Sequence, residues 1–160
     1  MPFRELQWLF PFLVALHNAE EVFTLPKWKR PSGLWFGGVS PTVFRFAAII
    51  LTVLAFVTTT LSARAGPMTL WANLNFGFIV AMLLNALVPH IAVSVLRRAA
   101  MPGVITAATL NLPILSLLAL LALRQGYVSL QAALVFCIAV PLLLLLATPL
   151  LFRLGRLLGL

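Results

Sequence analysis

Residues 129–152 read SLQAALVFCIAVPLLLLLATPLLF, a stretch without a single Asp, Glu, Lys or Arg. At a rise of about 1.5 Å per residue, a helix over this stretch is long enough to cross a hydrocarbon core about 30 Å thick. Four more apolar runs of comparable length precede it, over about residues 6–25, 42–63, 68–95 and 103–123. The 160-residue chain is 62% hydrophobic and 9% charged, with a mean hydropathy of +1.11. A soluble domain of this length keeps most of its residues in contact with water and cannot hide so much apolar surface. The expectation is a single all-α domain, a polytopic membrane helical bundle of about five transmembrane helices.

Between these runs the sequence carries boundary chemistry. The first connection holds Pro26, Pro31, Ser32, Gly33, Gly37, Gly38 and Pro41, and the later ones hold Ala65-Gly66-Pro67, Met101-Pro102-Gly103 and Arg124-Gln125-Gly126. Trp28 and Trp35 in the first loop, with Trp8, Trp71 and Tyr127 near other span ends, suit the two membrane–water interfaces. The first run resembles a signal peptide in position. Its weak basic region (Arg4 beside Glu5), lack of a small-residue cleavage site and late acidic residues favour a retained span.

With five spans, Arg4, Arg64 and Arg124 fall on one side, and Lys27, Lys29, Arg30, Arg45, Arg97, Arg98, Arg153 and Arg156 on the other. Loops rich in Lys and Arg stay in the cytoplasm, which places the N-terminus outside and the C-terminus inside a bacterial inner membrane. The net charge of +8 is therefore a set of loop anchors rather than a nucleic-acid groove. The single cysteine, Cys137, lies in an apolar run, so no intrachain disulfide forms and it reads as a packing residue.

His17-Asn18-Ala19-Glu20-Glu21 interrupts the first run, and it holds two of the chain's three acidic residues. On a helix, positions three and four apart share a face, so His17, Glu20 and Glu21 converge. A charged, unpaired carboxylate at the centre of a span costs about 2.5–3.5 kcal/mol, less toward the ends, so these groups must be paired, protonated or coordinated. Depth brings in the third span. His90 precedes Arg97 by seven residues, as Glu20 precedes Lys27, which puts both roughly 10 Å below the same boundary. Thr106 falls near that level, Asn111 lies deeper, Asn85 sits one turn and a residue before His90, and Pro89 frees a backbone carbonyl close to His90. Arg45 enters the second span from the same side, either as an interface anchor or as a partner for a glutamate.

The same residues carry a resemblance. His17-Asn18-Ala19-Glu20-Glu21, Asn85 followed by His90, and Pro102-Gly103 followed by Thr106 resemble the shared positions of the HXXEE family of bacterial integral membrane proteins, over about residues 10–115. The resemblance implies a shared site at His17, Glu20, Glu21, Asn85 and His90, with metal binding, and supplies no substrate.

Two imidazoles and two carboxylates complete a four-ligand set for a divalent metal, with His17, Glu20, Glu21 and His90 as ligands. They can instead leave a carboxylate free for acid–base work, which makes Glu20, Glu21 and Asn85 the catalytic candidates. Zinc, iron and manganese all accept such ligands. The leading expectation is a metal-dependent membrane enzyme whose partners are the lipid bilayer and a hydrophobic small molecule, lipid-like or isoprenoid-like. The alternatives are a metal-free acid/base enzyme, a proton- or ion-coupled transporter, and a binding protein using the same cluster. The bundle can enclose a cavity alone or as a homo-oligomer. No phosphate cradle or nucleophile elbow is present.

Overall fold

The structure is a computed structural model that describes residues 2–25 and 39–160. The first-loop features named above (Pro26, Lys27, Trp28, Lys29, Arg30, Pro31, Ser32, Gly33, Trp35, Gly37 and Gly38) lie outside the described residues. Among the described residues every regular element is helical.

The chain runs through α1 (Phe3–Leu6), α2 (Leu9–Thr24), α3 (Pro41–Ala65) and α4 (Leu70–Asn85). A π-helical segment, Ala86–Ala92, joins α4 to α5 (Val93–Arg97). After a turn, α6 (Val104–Thr106), a second π-helical segment (Ala107–Asn111) and α7 (Leu112–Arg124) form one rod, and α8 (Leu130–Leu157) ends the bundle. Four of the resulting rods, Pro41–Ala65, Leu70–Arg97, Val104–Arg124 and Leu130–Leu157, are long and apolar enough to cross a membrane. A further rod precedes them, α1 with α2, and it is broken at Gln7–Trp8. Pro11 has no N–H for the Gln7 carbonyl, which accepts from Phe10 N at 3.0 Å instead.

Local chemistry sets the helix starts. Ser40, Thr69 and Ser129 each accept a hydrogen bond from the backbone N–H three residues on, a side-chain N-cap. Such a cap contributes about 1 kcal/mol. Gly66, at φ +84°, ends α3 in a backbone conformation that other residues adopt only with strain.

The rods alternate in direction. At one end Phe3 N donates to Gln125 Oε1 at 2.7 Å, and Arg4 Nε donates to the Ala63 carbonyl at 2.9 Å. At the other end Gly155 of α8 lies against Val43 and Phe46 of α3. Arg4, Arg64 and Arg124 thus share one end, and Arg45, Arg97, Arg98, Arg153 and Arg156 mark the other, called here the arginine-rich end. Between them an apolar layer packs Phe10 and Val14 against Phe78, Ile79, Leu115 and Leu118, with Phe10 edge-on to Phe78 at 5.2 Å. α4 and α8 approach so closely that a Cβ on Gly77 would lie 2.6 Å from the Phe136 carbonyl oxygen. A small residue at that point lets two backbones meet, the usual device for helix association where lipid removes the hydrophobic drive.

Candidate functional site

At the arginine-rich half of the bundle, α2 supplies His17, Glu20 and Glu21, while the α4–π junction supplies Asn85 and His90. The two π-helical segments matter here. Pro89 has no N–H, so the Asn85 carbonyl loses its ordinary partner four residues on. In a π turn that carbonyl pairs with residue i+5, which is His90. The wide turn also brings Asn85 and His90 to one face, and their side chains meet at 3.2 Å between Nδ2 and Nε2.

His17 and His90 are both buried, with rings in edge-to-face contact at 4.6 Å and Nε2 atoms 3.2 Å apart. Hydrogen bonds behind the rings determine which nitrogen carries each proton. His90 Nδ1 lies 2.8 Å from the Pro102 carbonyl, which can only accept, so Nδ1 donates. Thr106 gives its hydroxyl proton to the Gly103 carbonyl at 3.2 Å and accepts from His17 Nδ1 at 2.9 Å. Both imidazoles in their neutral form then direct an Nε2 lone pair toward one point. Glu21 Oε1 lies 3.5 Å from His90 Nε2. His17, Glu21 and His90 form a group whose donor atoms all lie within 4.8 Å of one another. Asn85 Nδ2 covers both lone pairs, at 3.4 Å from His17 and 3.2 Å from His90.

Glu20 stands differently. Its two carboxylate oxygens accept from the backbone N–H groups of Ile105 and Thr106, at 3.1 and 2.7 Å. These are free donors at the start of the fourth rod, so Glu20 caps a helix from another segment of the chain. Thr106 is thereby gripped twice by α2, through its N–H by Glu20 and through its hydroxyl by His17. Both histidines' Nδ1 partners, Pro102 and Thr106, flank Gly103. A Cβ there would lie 2.9 Å from Glu21 Cγ, 2.9 Å from His17 Cε1 and 3.0 Å from His90 Cε1. Only glycine lets this backbone pack against all three donor residues at φ +83°.

Of the remaining candidates, Thr106 joins the cluster through His17. Arg45 is exposed, and the glutamates find the other partners just described. Asn111 is buried one wide turn beyond Thr106, and its amide atoms have no partner among the described residues. Sequence reading did not single out Ser94, whose hydroxyl accepts from Met101 N at 2.9 Å and holds the turn carrying Pro102. No spacing rule marks it.

Glu21 and Asn85 also line a cavity of about 660 Å³, within the range of small-molecule sites. Its other walls are apolar faces of α2, α3, α4 and α8, among them Val14, Ala48, Phe78, Met82, Leu145 and Phe152. α8 supplies no residue to the donor group; it supplies one wall of this cavity.

A second buried polar cluster lies at the opposite end, and no sequence argument had drawn it together. Ser62 Oγ and Asn75 Nδ2 donate to Gln7 Oε1 at 2.8 and 3.0 Å, Thr59 donates to Asn75 Oδ1 at 3.0 Å, and Tyr127 Oη donates to the Ser62 carbonyl at 2.8 Å. Gln7 Nε2 donates to the Arg4 carbonyl at 3.1 Å and to Tyr127 Oη at 3.2 Å.

Comparison with known proteins covers the site and most of the chain. Residues 8–118 match the family model described as a protein of unknown function with HXXEE motif, a range that contains every donor residue and stops before α8. The chain is 30% identical over 148 residues to the uncharacterized protein YrkK of Bacillus subtilis (strain 168), covering 91% of this chain and 92% of that protein. No solved structure matches. A His–x–x–Glu–Glu run whose His and second Glu meet a distant His, and whose first Glu caps the next helix in that site, is the motif in three dimensions, and the chain belongs to the HXXEE family.

Proposed function

We propose that this protein is a metal-dependent enzyme of the bacterial inner membrane, with its N-terminus outside, that acts on a hydrophobic, lipid-like or isoprenoid-like substrate. The observation that carries this reading is the pair of imidazoles whose Nδ1 atoms are both engaged, leaving two Nε2 lone pairs 3.2 Å apart beside a carboxylate. Two nitrogens bound tetrahedrally to one ion at about 2.0–2.1 Å are separated by roughly 3.3 Å, so the spacing fits a shared divalent ion. His17, His90 and Glu21 would hold it, and zinc, iron and manganese all suit that donor set. Three protein donors match the count in sites that keep a position for water or substrate. A bound ion would supply Lewis acidity and offset the burial of Glu21.

The chain's own groups divide the remaining work. Glu20 and Thr106 fix the ring of His17, and Pro102 fixes that of His90, so both lone pairs are preorganised. Asn85 stands between the donor pair and the cavity, where its amide can orient an oxygen of the substrate. The apolar walls exclude water and favour a hydrophobic reactant. A second reading, a metal-free acid/base pair, rests on the same contact between imidazoles, with a proton shared in place of an ion.

Metal analysis of protein purified without chelator and without a nickel column separates the two. Near-stoichiometric zinc, iron or manganese in the wild type, lost in His17→Ala and in Glu21→Ala, is the expected result. No metal after reconstitution with each of the three ions would overturn the metal reading in favour of the acid/base pair.

A further inference from the structure

The cavity beside the donor group is walled in part by residues that are themselves exposed on the outside of the bundle. Leu84 and Val88, on α4 and the π segment after it, are 42% and 62% exposed, and Leu142 and Leu145 of α8 are 54% and 47% exposed. A residue that both lines a cavity and faces outward belongs to its rim. This rim sits deep in its rods: Leu84 is thirteen residues from Arg97 and Leu142 twelve from Leu130, roughly 18–20 Å from either helix end. At that depth the surroundings of an apolar span are hydrocarbon, not water.

We propose that the cavity opens sideways into the bilayer between Leu84/Val88 and Leu142/Leu145, and that its occupant is a single-chain membrane amphiphile whose apolar chain enters by this portal. This identifies the substrate class of the proposed function and rests on that reading only for the chemistry, not for the binding. The polar atoms of the lining fix the amphiphile's orientation. Thr148 donates to the Leu144 carbonyl, and Asn18 Nδ2 donates to Ala48 and Thr52, so their donors are committed within the bundle. Of the polar lining, Glu21 and Asn85 are the pair that borders the donor group. The oxygen-bearing end, a hydroxyl or ester, therefore sits at Asn85 and the donor group. The chain lies along the apolar wall toward Phe78 and Met82, which are seven and three residues deeper on α4.

The full chain in phosphatidylethanolamine–phosphatidylglycerol vesicles, given a long-chain fatty alcohol with a diazirine in its chain, tests this. Irradiation should label Phe78 or Met82, which line the cavity and are under 10% exposed. Val88→Trp and Leu142→Trp, each placed at the rim, should lower that label several-fold, and Leu117→Trp, exposed on α7 and away from the cavity, should leave it unchanged. Two rim variants guard against one that fails to fold. Label confined to outward residues, or buried label indifferent to both rim variants, would overturn the proposal. Labelling of His17→Ala separates it from the metal reading: label retained in protein shown to lack metal supports the portal whether or not the enzyme reading survives.

Discussion

The two buried polar clusters, one at each end of the bundle, are built on opposite principles. Around Gln7, Ser62, Asn75 and Tyr127 the groups are amides and hydroxyls that satisfy one another and bind together the break between α1 and α2, α3, α4 and the turn before α8. Around His17, Glu21 and His90 the groups are ionisable, and their hydrogen bonds run backwards, to Pro102 and Thr106, so that the reactive atoms face each other. A closed network in a low-dielectric setting rigidifies a fold, because each member would be costly to leave unpaired. Two lone pairs and a carboxylate that face one another under a single amide, that of Asn85, are costly unless something binds them, which is the signature of a site. The apolar layer of Phe10, Phe78, Ile79 and Leu115 keeps the two apart. The lesson is that burial of polar groups in a membrane bundle does not by itself indicate function; the direction of the donors does.

That contrast can be broken most sharply at the ligands. His90→Ala should reduce metal affinity by more than about 100-fold, beyond the 10–100-fold expected for groups that only support a ligand. Titration with zinc, followed by calorimetry or a competing dye, measures it, and unaltered affinity would remove His90 from the donor set. Gly103→Ala should come close to the same loss although it deletes no ligand, since the new methyl strikes His17, Glu21 and His90 together. Should Gly103→Ala bind metal normally, the backbone does not pack against the donors as described.

Glu20→Gln sharpens the comparison within α2 itself. Acting as a cap on the fourth rod and not as a ligand, Glu20 should cost about 10–100-fold in affinity when neutralised, less than the loss from Glu21→Gln. The order of the two losses, read from parallel titrations, is the test, and the reverse order would make Glu20 the ligand.

The far cluster should behave in the opposite way. Asn75→Leu removes the Asn75 partner of Thr59 and one of the partners of Gln7 and of Thr58, and should lower stability by about 1–3 kcal/mol, read by unfolding in mixed micelles, with metal affinity unchanged. A change in affinity there would show that the clusters are coupled. Chelation should have an effect of similar size, confined to protein that keeps the donor set. Removing a metal present at about 100 times its dissociation constant lowers stability by about 2.7 kcal/mol in wild type, and by nothing in His90→Ala, so the difference between the two proteins isolates the site.

Much of this was legible in the chain. Apolar runs of about 20 residues between Pro, Gly and Arg boundaries are enough to name an all-helical bundle, because within hydrocarbon a helix satisfies its backbone inside a single segment of that length. The depth match between Glu20 and His90 follows from a fixed rise per residue and an alternating path. Other features were not legible for definite reasons. Neither the far cluster nor the cavity leaves a local pattern: Gln7 and Ser62 are 55 positions apart, and α8 lines the cavity with leucines no different from those facing lipid.

The sequence alone thus determined which residues are buried ionisable groups and which end of the bundle they occupy, since both follow from hydropathy and helical rise. It could not assign the two glutamates. At about 100° per residue, Glu20 and Glu21 flank His17 on either side, and nothing local distinguishes them. Packing decided: one side of α2 meets the N–H groups at the start of the fourth rod, and the other meets His90 and the cavity. The π turn at Pro89, which rotates Asn85 and His90 onto one face, is likewise a choice among backbone hydrogen-bond patterns that only the surrounding helices could fix.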